Sequence, residues 1–129
     1  MNTMKKIFIV EDDPFLVDIY VTKFEEKGYS VEAVRDGEEA LGVIKEREFD
    51  IIILDINLPK MSGWDVLRRL RENDKSQESK VIILSNAVLE EDSRRMMDEF
   101  GVSKYIVKIY YTPEEVVKEV EECLHRESV

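Results

Sequence analysis

Ile51-Ile52-Ile53-Leu54 is an unbroken apolar run that ends at Asp55. Its β-branched residues favour a strand, and it is too short for a helix. A half-exposed antiparallel strand would alternate apolar and polar residues, whereas a parallel strand covered on both faces does not. Three more runs read the same way: Ile7-Phe8-Ile9-Val10, Val81-Ile82-Ile83-Leu84 and Tyr105-Ile106-Val107. Ser30 to Val34 does alternate, through Val31 and Ala33 or Val34, and is expected at a sheet edge.

Helical patterns fill the intervals. Asp13-Pro14 sets an N-cap before a proline at the first helical position. Leu16, Ile19, Tyr20 and Phe24 then recur at helical spacing, and Gly28 is a natural stop. Asp36-x-x-Glu39 and Ser62-x-x-Asp65 resemble capping boxes. Thr112-Pro113-Glu114-Glu115 combines cap, proline and box ahead of Val116, Val117, Val120 and Leu124. The segment from Glu90 to Phe100 is the least amphipathic; Met96, Met97 and Phe100 are its main apolar residues, and Gly101 ends it. Strand and helix thus alternate about five times, which implies right-handed crossovers and a parallel sheet with helices on both faces. The expected fold is α/β, a doubly wound, flavodoxin-like five-stranded sheet in the order 2-1-3-4-5.

The 129 residues suit one domain, and residues 1–129 are expected to form it. No apolar run approaches the roughly 20 residues of a membrane helix, so no membrane association is expected. The opening MNTMKK has neither the apolar stretch nor the cleavage site of a signal peptide. A single cysteine, Cys123, excludes an internal disulfide, and a cytoplasmic location follows as the expectation. The net charge of −10 lacks the basic footprint of a phosphate-binding surface, so direct nucleic-acid binding is not expected. The tail from His125 to Val129 reads as a frayed helix end or the stub of a linker.

Ligands in such sheets bind at the carboxyl ends of the strands. Glu11, Asp12 and Asp13 follow the first strand, Asp55 the third, Ser85 and Asn86 the fourth and Lys108 the fifth. Singly, each has an ordinary reading as a helix cap, a turn former or a solvated charge. Together they put carboxylates, a hydroxyl and an ammonium in one crevice. Crowded carboxylates raise one another's pKa unless a cation joins them. Lys108 supplies one positive charge, and a hard divalent cation with oxygen ligands would supply the rest. So few protein ligands suit Mg²⁺, which keeps several waters, better than Ca²⁺.

VEDDP at Val10 to Pro14, LDINLPKMSGWDVL at Leu54 to Leu67, ILS at Ile83 to Ser85 and YIVK at Tyr105 to Lys108 resemble the signature of response-regulator receiver domains of two-component signalling, including chemotaxis-regulator-like stand-alone receivers. The resemblance spans nearly the whole chain and implies a phosphorylation-dependent switch, a signalling domain rather than an enzyme, which assists its own phosphorylation and dephosphorylation. It implies that Asp55 accepts the phosphoryl group from a histidine kinase, a phosphotransfer protein or a small phosphodonor. It implies Mg²⁺ bound by Asp12, Asp55 and the Asn57 backbone carbonyl, with Glu11 acting through water. Ser85 and Lys108 would contact the phosphoryl oxygens, and Tyr105 would turn inward to report the phosphorylated state. The fourth helix, fifth strand and fifth helix would present the output to a protein partner. With no effector segment in the sequence, the chain either acts alone or was cut from a longer one.

Two positions depart from the family pattern. Asn86 stands where alanine is common, beside the switch hydroxyl, where it could alter phosphoryl access or lifetime. Ile109 stands where proline usually follows the lysine, in a loop to Pro113 that reads one residue longer. A trans Lys108–Ile109 bond is expected, because a cis bond before a non-proline residue costs about 2.5–4 kcal/mol. Tyr110 and Tyr111 are expected to cover that turn. Trp64 and Cys123 read as packing residues, and His125 as a favourable cation at a helix C-terminus.

Three other functions fit less well. A phosphorylation-independent protein-binding module would be expected to lack an acid, the acceptor or the lysine, and all are present. An aspartyl phosphatase wants a second acid two residues after its nucleophile, where this chain has Asn57. A flavin-binding loop after the first strand should offer backbone donors and hydroxyls, whereas Glu11-Asp12-Asp13 would repel a phosphate.

Overall fold

The computed structural model describes residues 4–126. Residues 1–3, and the part of the expected tail from residue 127 onward, lie outside the described residues. In chain order the elements are β1 (Lys6–Val10), α1 (Pro14–Glu26), β2 (Ser30–Val34), α2 (Gly37–Glu46), β3 (Ile51–Leu54), α3 (Gly63–Glu72), β4 (Lys80–Ser85), α4 (Glu91–Glu99), β5 (Lys104–Val107) and α5 (Pro113–His125). A 3₁₀ turn, Lys108–Tyr110, joins β5 to α5. All strand pairs are parallel, in the order β2-β1-β3-β4-β5.

The strand sequences divide the core in two. Successive strand side chains point to opposite faces. Ile7, Ile9, Ile51, Ile53, Ile82, Leu84 and Ile106 therefore face α1 and α5, where they meet Tyr20, Phe24, Val116, Val117 and Val120. Phe8, Val10, Ile52, Leu54, Val81 and Ile83 face the other way, against Ala40 and Ile44 of α2 and Val66, Leu67 and Leu70 of α3. β3 is buried at every position, as its unbroken apolar sequence requires. Each fully buried Ile or Leu contributes roughly 1.5–3 kcal/mol. β2 pairs only with β1 and stays half-exposed, the edge position its alternation predicts.

The caps follow the sequence in part. Asp13 accepts hydrogen bonds from the amides of Phe15 and Leu16, with Pro14 opening α1. Thr112 and Glu115 form the complete reciprocal box. Asp36 caps α2 through the Glu39 amide, but Glu39 returns to the Arg35 amide instead of closing the box. Ser62 caps α3 through the Trp64 amide, while Asp65 pairs with Arg68. Gly28 and Gly101, with φ of 93° and 65°, turn the chain out of α1 and α4.

α4 is the exception among the helices. It has no side-chain N-cap hydrogen bond and no buried residue, and neither Met96 nor Met97 reaches the core. Its C-terminal end is better held, because Phe100 packs against the α2–α3 face of the core. Arg71 of α3 donates from Nε to the Phe100 carbonyl at 2.6 Å and from Nη2 to the Gly101 carbonyl at 3.3 Å. The same guanidinium reaches the carbonyls of Ser76, Gln77 and Ser79. One side chain thus satisfies the orphan carbonyls of two neighbouring turns.

Among the described residues no helix is long and apolar enough to cross a membrane.

Candidate functional site

The register of the sheet brings the strand ends to one edge. Val10 of β1 pairs with Leu54 of β3, so Glu11 and Asp55 leave the sheet side by side. Ser85 pairs with Val107, which sets Lys108 just beyond the end of β5. Glu11 and Asp55 are nearly shut off from solvent, at 1% and 4% exposure. The Lys108 ammonium bridges them, donating to Asp55 Oδ2 at 2.8 Å and lying in ion-pair contact with Glu11 Oε1. Asp55 Oδ1 accepts the Asn57 amide at 3.1 Å, and Glu11 Oε2 accepts the Asp13 amide at 3.1 Å. Asn57 itself is exposed. Asp13 is committed to capping α1, so the acids left for chemistry are Glu11, Asp12 and Asp55.

The crevice retains excess negative charge. Burial pushes the Glu11 carboxyl up to about 7; Lys108 and the Asp13 amide pull against this, and the neighbouring Asp55 charge adds to it. Lys108 is held above the usual lysine range: burial opposes its charge, but its contacts with Asp55 and Glu11 prevail. These shifts fix a pH dependence of the metal-free protein. The folded state holds a proton on Glu11 up to about 7, while an unfolded glutamate releases it near 4.5. Between those values the folded state binds more protons, so stability falls as pH rises through the window. Glu11→Gln should remove this slope, and in the absence of divalent cations its stability relative to the parent should rise between pH 5 and pH 8. Urea unfolding at the two pH values measures it; a difference that does not change with pH would mean that Glu11 carries no proton there.

A divalent cation fits these residues. One oxygen from each of Glu11, Asp12 and Asp55 lies within 4.8 Å of the others. Glu11 Oε1 is buried and accepts no hydrogen bond of good geometry, although the Lys108 ammonium is beside it. An all-oxygen, anionic donor set suits a hard cation.

The residues of the fourth and fifth strand ends form a connected loop. Ser85 is fully buried, and its Oγ accepts the Ala87 amide at 3.2 Å. The Tyr105 hydroxyl donates to the Ala87 carbonyl at 2.5 Å, and its ring packs against the α2–α3 face of the core. Tyr105 is half-buried in this arrangement. Among the described residues there is no cis peptide bond, so Lys108–Ile109 is trans. Asn86 does not stand alone, since its Oδ1 accepts the Ile109 amide at 2.9 Å. Of the two tyrosines expected over this turn, Tyr111 packs against the α1–α5 side of the core and Tyr110 is 75% exposed. Trp64 is half-buried against the opposite side, and Cys123 is buried. The His125 ring approaches the Tyr29 hydroxyl at 3.4 Å, and that hydroxyl donates to Glu121. Arg35, not anticipated from the sequence, donates to the Asp12 carbonyl at 3.4 Å beside the acidic cluster.

A doubly wound sheet with acids and a lysine gathered at its carboxyl edge places the candidate site where open α/β sheets bind their ligands. The family model for the response regulator receiver domain matches residues 7–121, and the chain belongs to that family. It is a receiver domain of the two-component response regulators, a signalling family consistent with phosphorylation-dependent control. The alkaline phosphatase synthesis transcriptional regulatory protein PhoP of Bacillus subtilis is 32% identical over 97% of this chain and 50% of its own length. The DNA-binding dual master transcriptional regulator RpaA of Synechocystis is 30% identical over 95% of this chain and 50% of its own. A CheY-like receiver domain protein from Methanospirillum hungatei superposes with a TM-score of 0.85, at 26% identity, covering 95% of this chain and 94% of that one.

The chain spans about half the length of these two curated relatives. The expectation of a protein without nucleic-acid partners is corrected here, because the relatives are transcriptional regulators and one is DNA-binding by name. The net charge of −10 belongs to a stretch that matches about half of each relative, so it says nothing of what the other half of those relatives binds.

Proposed function

We propose that Asp55 accepts a phosphoryl group from a histidine kinase, a phosphotransfer protein or a small acyl phosphate. The supporting observation is the nearly buried Asp55 carboxylate held at 2.8 Å by Lys108, with Glu11 and Asp12 beside it. An Asp55 oxygen forms a bond to phosphorus while the bond from phosphorus to the donor breaks. The leaving group departs with the electron pair, as a carboxylate from an acyl phosphate or as an imidazole from a phosphohistidine. Mg²⁺, held by Asp12, Asp55 and the Asn57 carbonyl and by Glu11 through water, would supply the positive charge that offsets repulsion between two anions. Lys108 exchanges its hold on the carboxylate for a phosphoryl oxygen. Ser85 gives up the Ala87 amide to donate its hydroxyl to another.

That exchange frees the Ala87 segment, which Tyr105 already grips. The loop then biases α4, β5 and α5, the face that would control a protein partner. A ligand shifts such an equilibrium only by its differential contacts, and the contacts of Ser85 and Lys108 are the ones that differ. The cytoplasm, where Cys123 stays reduced, is the proposed setting. Mass spectrometry after incubation with a small acyl phosphate and Mg²⁺ tests the reading. One added phosphoryl group is expected, and chelation of the metal should suppress it. An unchanged mass, together with no fluorescence response of Trp64 to beryllofluoride, would overturn it.

A further inference from the structure

We propose that Asn86 is a positioning residue for Lys108, acting through the backbone amide of Ile109; this rests on the reading of Asp55 as phosphoacceptor. The Lys108 side chain is anchored at its tip by Asp55 and Glu11. Its base needs a separate support, because the β4–β5 ladder ends at the Ser85–Val107 pair. Beyond that point the chain enters the short 3₁₀ turn, which has no side-chain cap. Ile109 and Tyr110 add no packing there, being 70% and 75% exposed. Asn86 Oδ1 supplies what the ladder and the packing do not, accepting the Ile109 N–H at 2.9 Å. The bond fixes the peptide plane that leaves Lys108, and with it the direction in which the lysine side chain starts.

Asn86 also sits in the right loop for this task. It lies between Ser85, whose hydroxyl oxygen accepts the Ala87 amide, and Ala87, whose carbonyl holds Tyr105. The loop therefore meets the chain on both sides of Lys108, at Tyr105 before it and at Ile109 after it. A loop that moves when Ser85 engages a phosphoryl oxygen carries the Ile109 anchor with it. The residue is exposed, so its loss leaves the Ile109 amide to water rather than stranding it in the core. Asn86 thus orders the lysine without holding the fold together.

A double-mutant cycle on the full chain tests this, using Asn86→Ala, Ile109→Pro and the pair. The readouts are the rate of Asp55 phosphorylation by a small acyl phosphate at saturating Mg²⁺, Mg²⁺ affinity, the unfolding midpoint and hydrogen exchange at Ile109. In N86A the phosphorylation rate should fall about two- to tenfold, the usual worth of one hydrogen bond. Mg²⁺ affinity and unfolding midpoint should stay at parent values, and the Ile109 amide should lose protection. Proline at 109 removes the donor, so N86A should have no further effect in that background. N86D keeps an acceptor and should restore the protection. Fully additive rate effects, or a parent-like rate in N86A, would overturn the role of Asn86 while leaving Asp55 as acceptor. A parent chain that takes up no phosphoryl group would overturn the Asp55 reading instead, and hydrogen exchange at Ile109 would still decide whether Asn86 holds the turn.

Discussion

Asp55→Asn should reduce phosphoryl incorporation from about one group per chain to none, whatever the donor. The substitution keeps the shape of the side chain and one oxygen. It removes the negative charge and the lone-pair basicity by which a carboxylate attacks phosphorus. The other acids do not replace it. Asp13 is occupied by the amides of Phe15 and Leu16. Glu11 is 1% exposed and holds a proton up to about 7, which makes it a poor nucleophile where Asp55 would act. Asp12 is the remaining acid, and a metal that engages it leaves it little freedom to attack. Mass spectrometry of parent and variant, with peptide mapping of the modified residue, checks this. Stoichiometric labelling of the variant at Asp12 would move the acceptor to the segment that follows β1.

Gly63→Ala should destabilise the protein by about 2–4 kcal/mol, a large share of a total stability of roughly 5–15 kcal/mol. A methyl group there would lie 2.2 Å from the Asp55 carbonyl oxygen, 2.7 Å from Ile56 Cα and 2.9 Å from the Asp55 carbonyl carbon. All three atoms are backbone, so no rotamer change relieves the overlap. The Gly63 amide also donates to the Ile56 carbonyl at 2.8 Å, which pins the start of α3 to the end of β3. Separating them breaks that bond and displaces the segment that carries Asp55. Gly42 provides the contrast. It lies inside α2, where a methyl group would meet no other part of the fold, so Gly42→Ala should add up to about 1 kcal/mol. Urea unfolding of the two variants separates steric demand from simple helix propensity. Equal effects of like sign would show that the β3–α3 contact yields more easily than its distances imply.

The sheet and its order were legible because the strands carry an all-or-none signal. A run such as Ile51 to Leu54 has no polar position to spare, and Ser30 to Val34 reveals its edge by alternating. The gathering of Glu11, Asp12, Asp55, Ser85 and Lys108 followed from strand order alone, since a parallel sheet sends every carboxyl end to the same edge. Contacts made by side chains with backbone were less legible. Nothing in the spacing of Arg71 shows that it gathers five carbonyls from two turns. The two departures at Asn86 and Ile109 looked independent, being 23 residues apart, and only the fold joins them by a hydrogen bond. Ser62-x-x-Asp65 had the letters of a capping box, but Arg68 one turn later competes for the aspartate. The partner expectation failed for a different reason, because a net charge describes only the stretch on which it is summed.

The absence of buried residues along α4 has an evolutionary consequence. Substitutions in the strands must fit two faces of a dense core, so their alphabet is narrow. The nine residues from Glu91 to Glu99 answer to no such jigsaw, and Arg71 secures the end of their helix from outside its own sequence. A duplicated gene can therefore change this helix freely while the strands and the cluster at their ends stay as inherited.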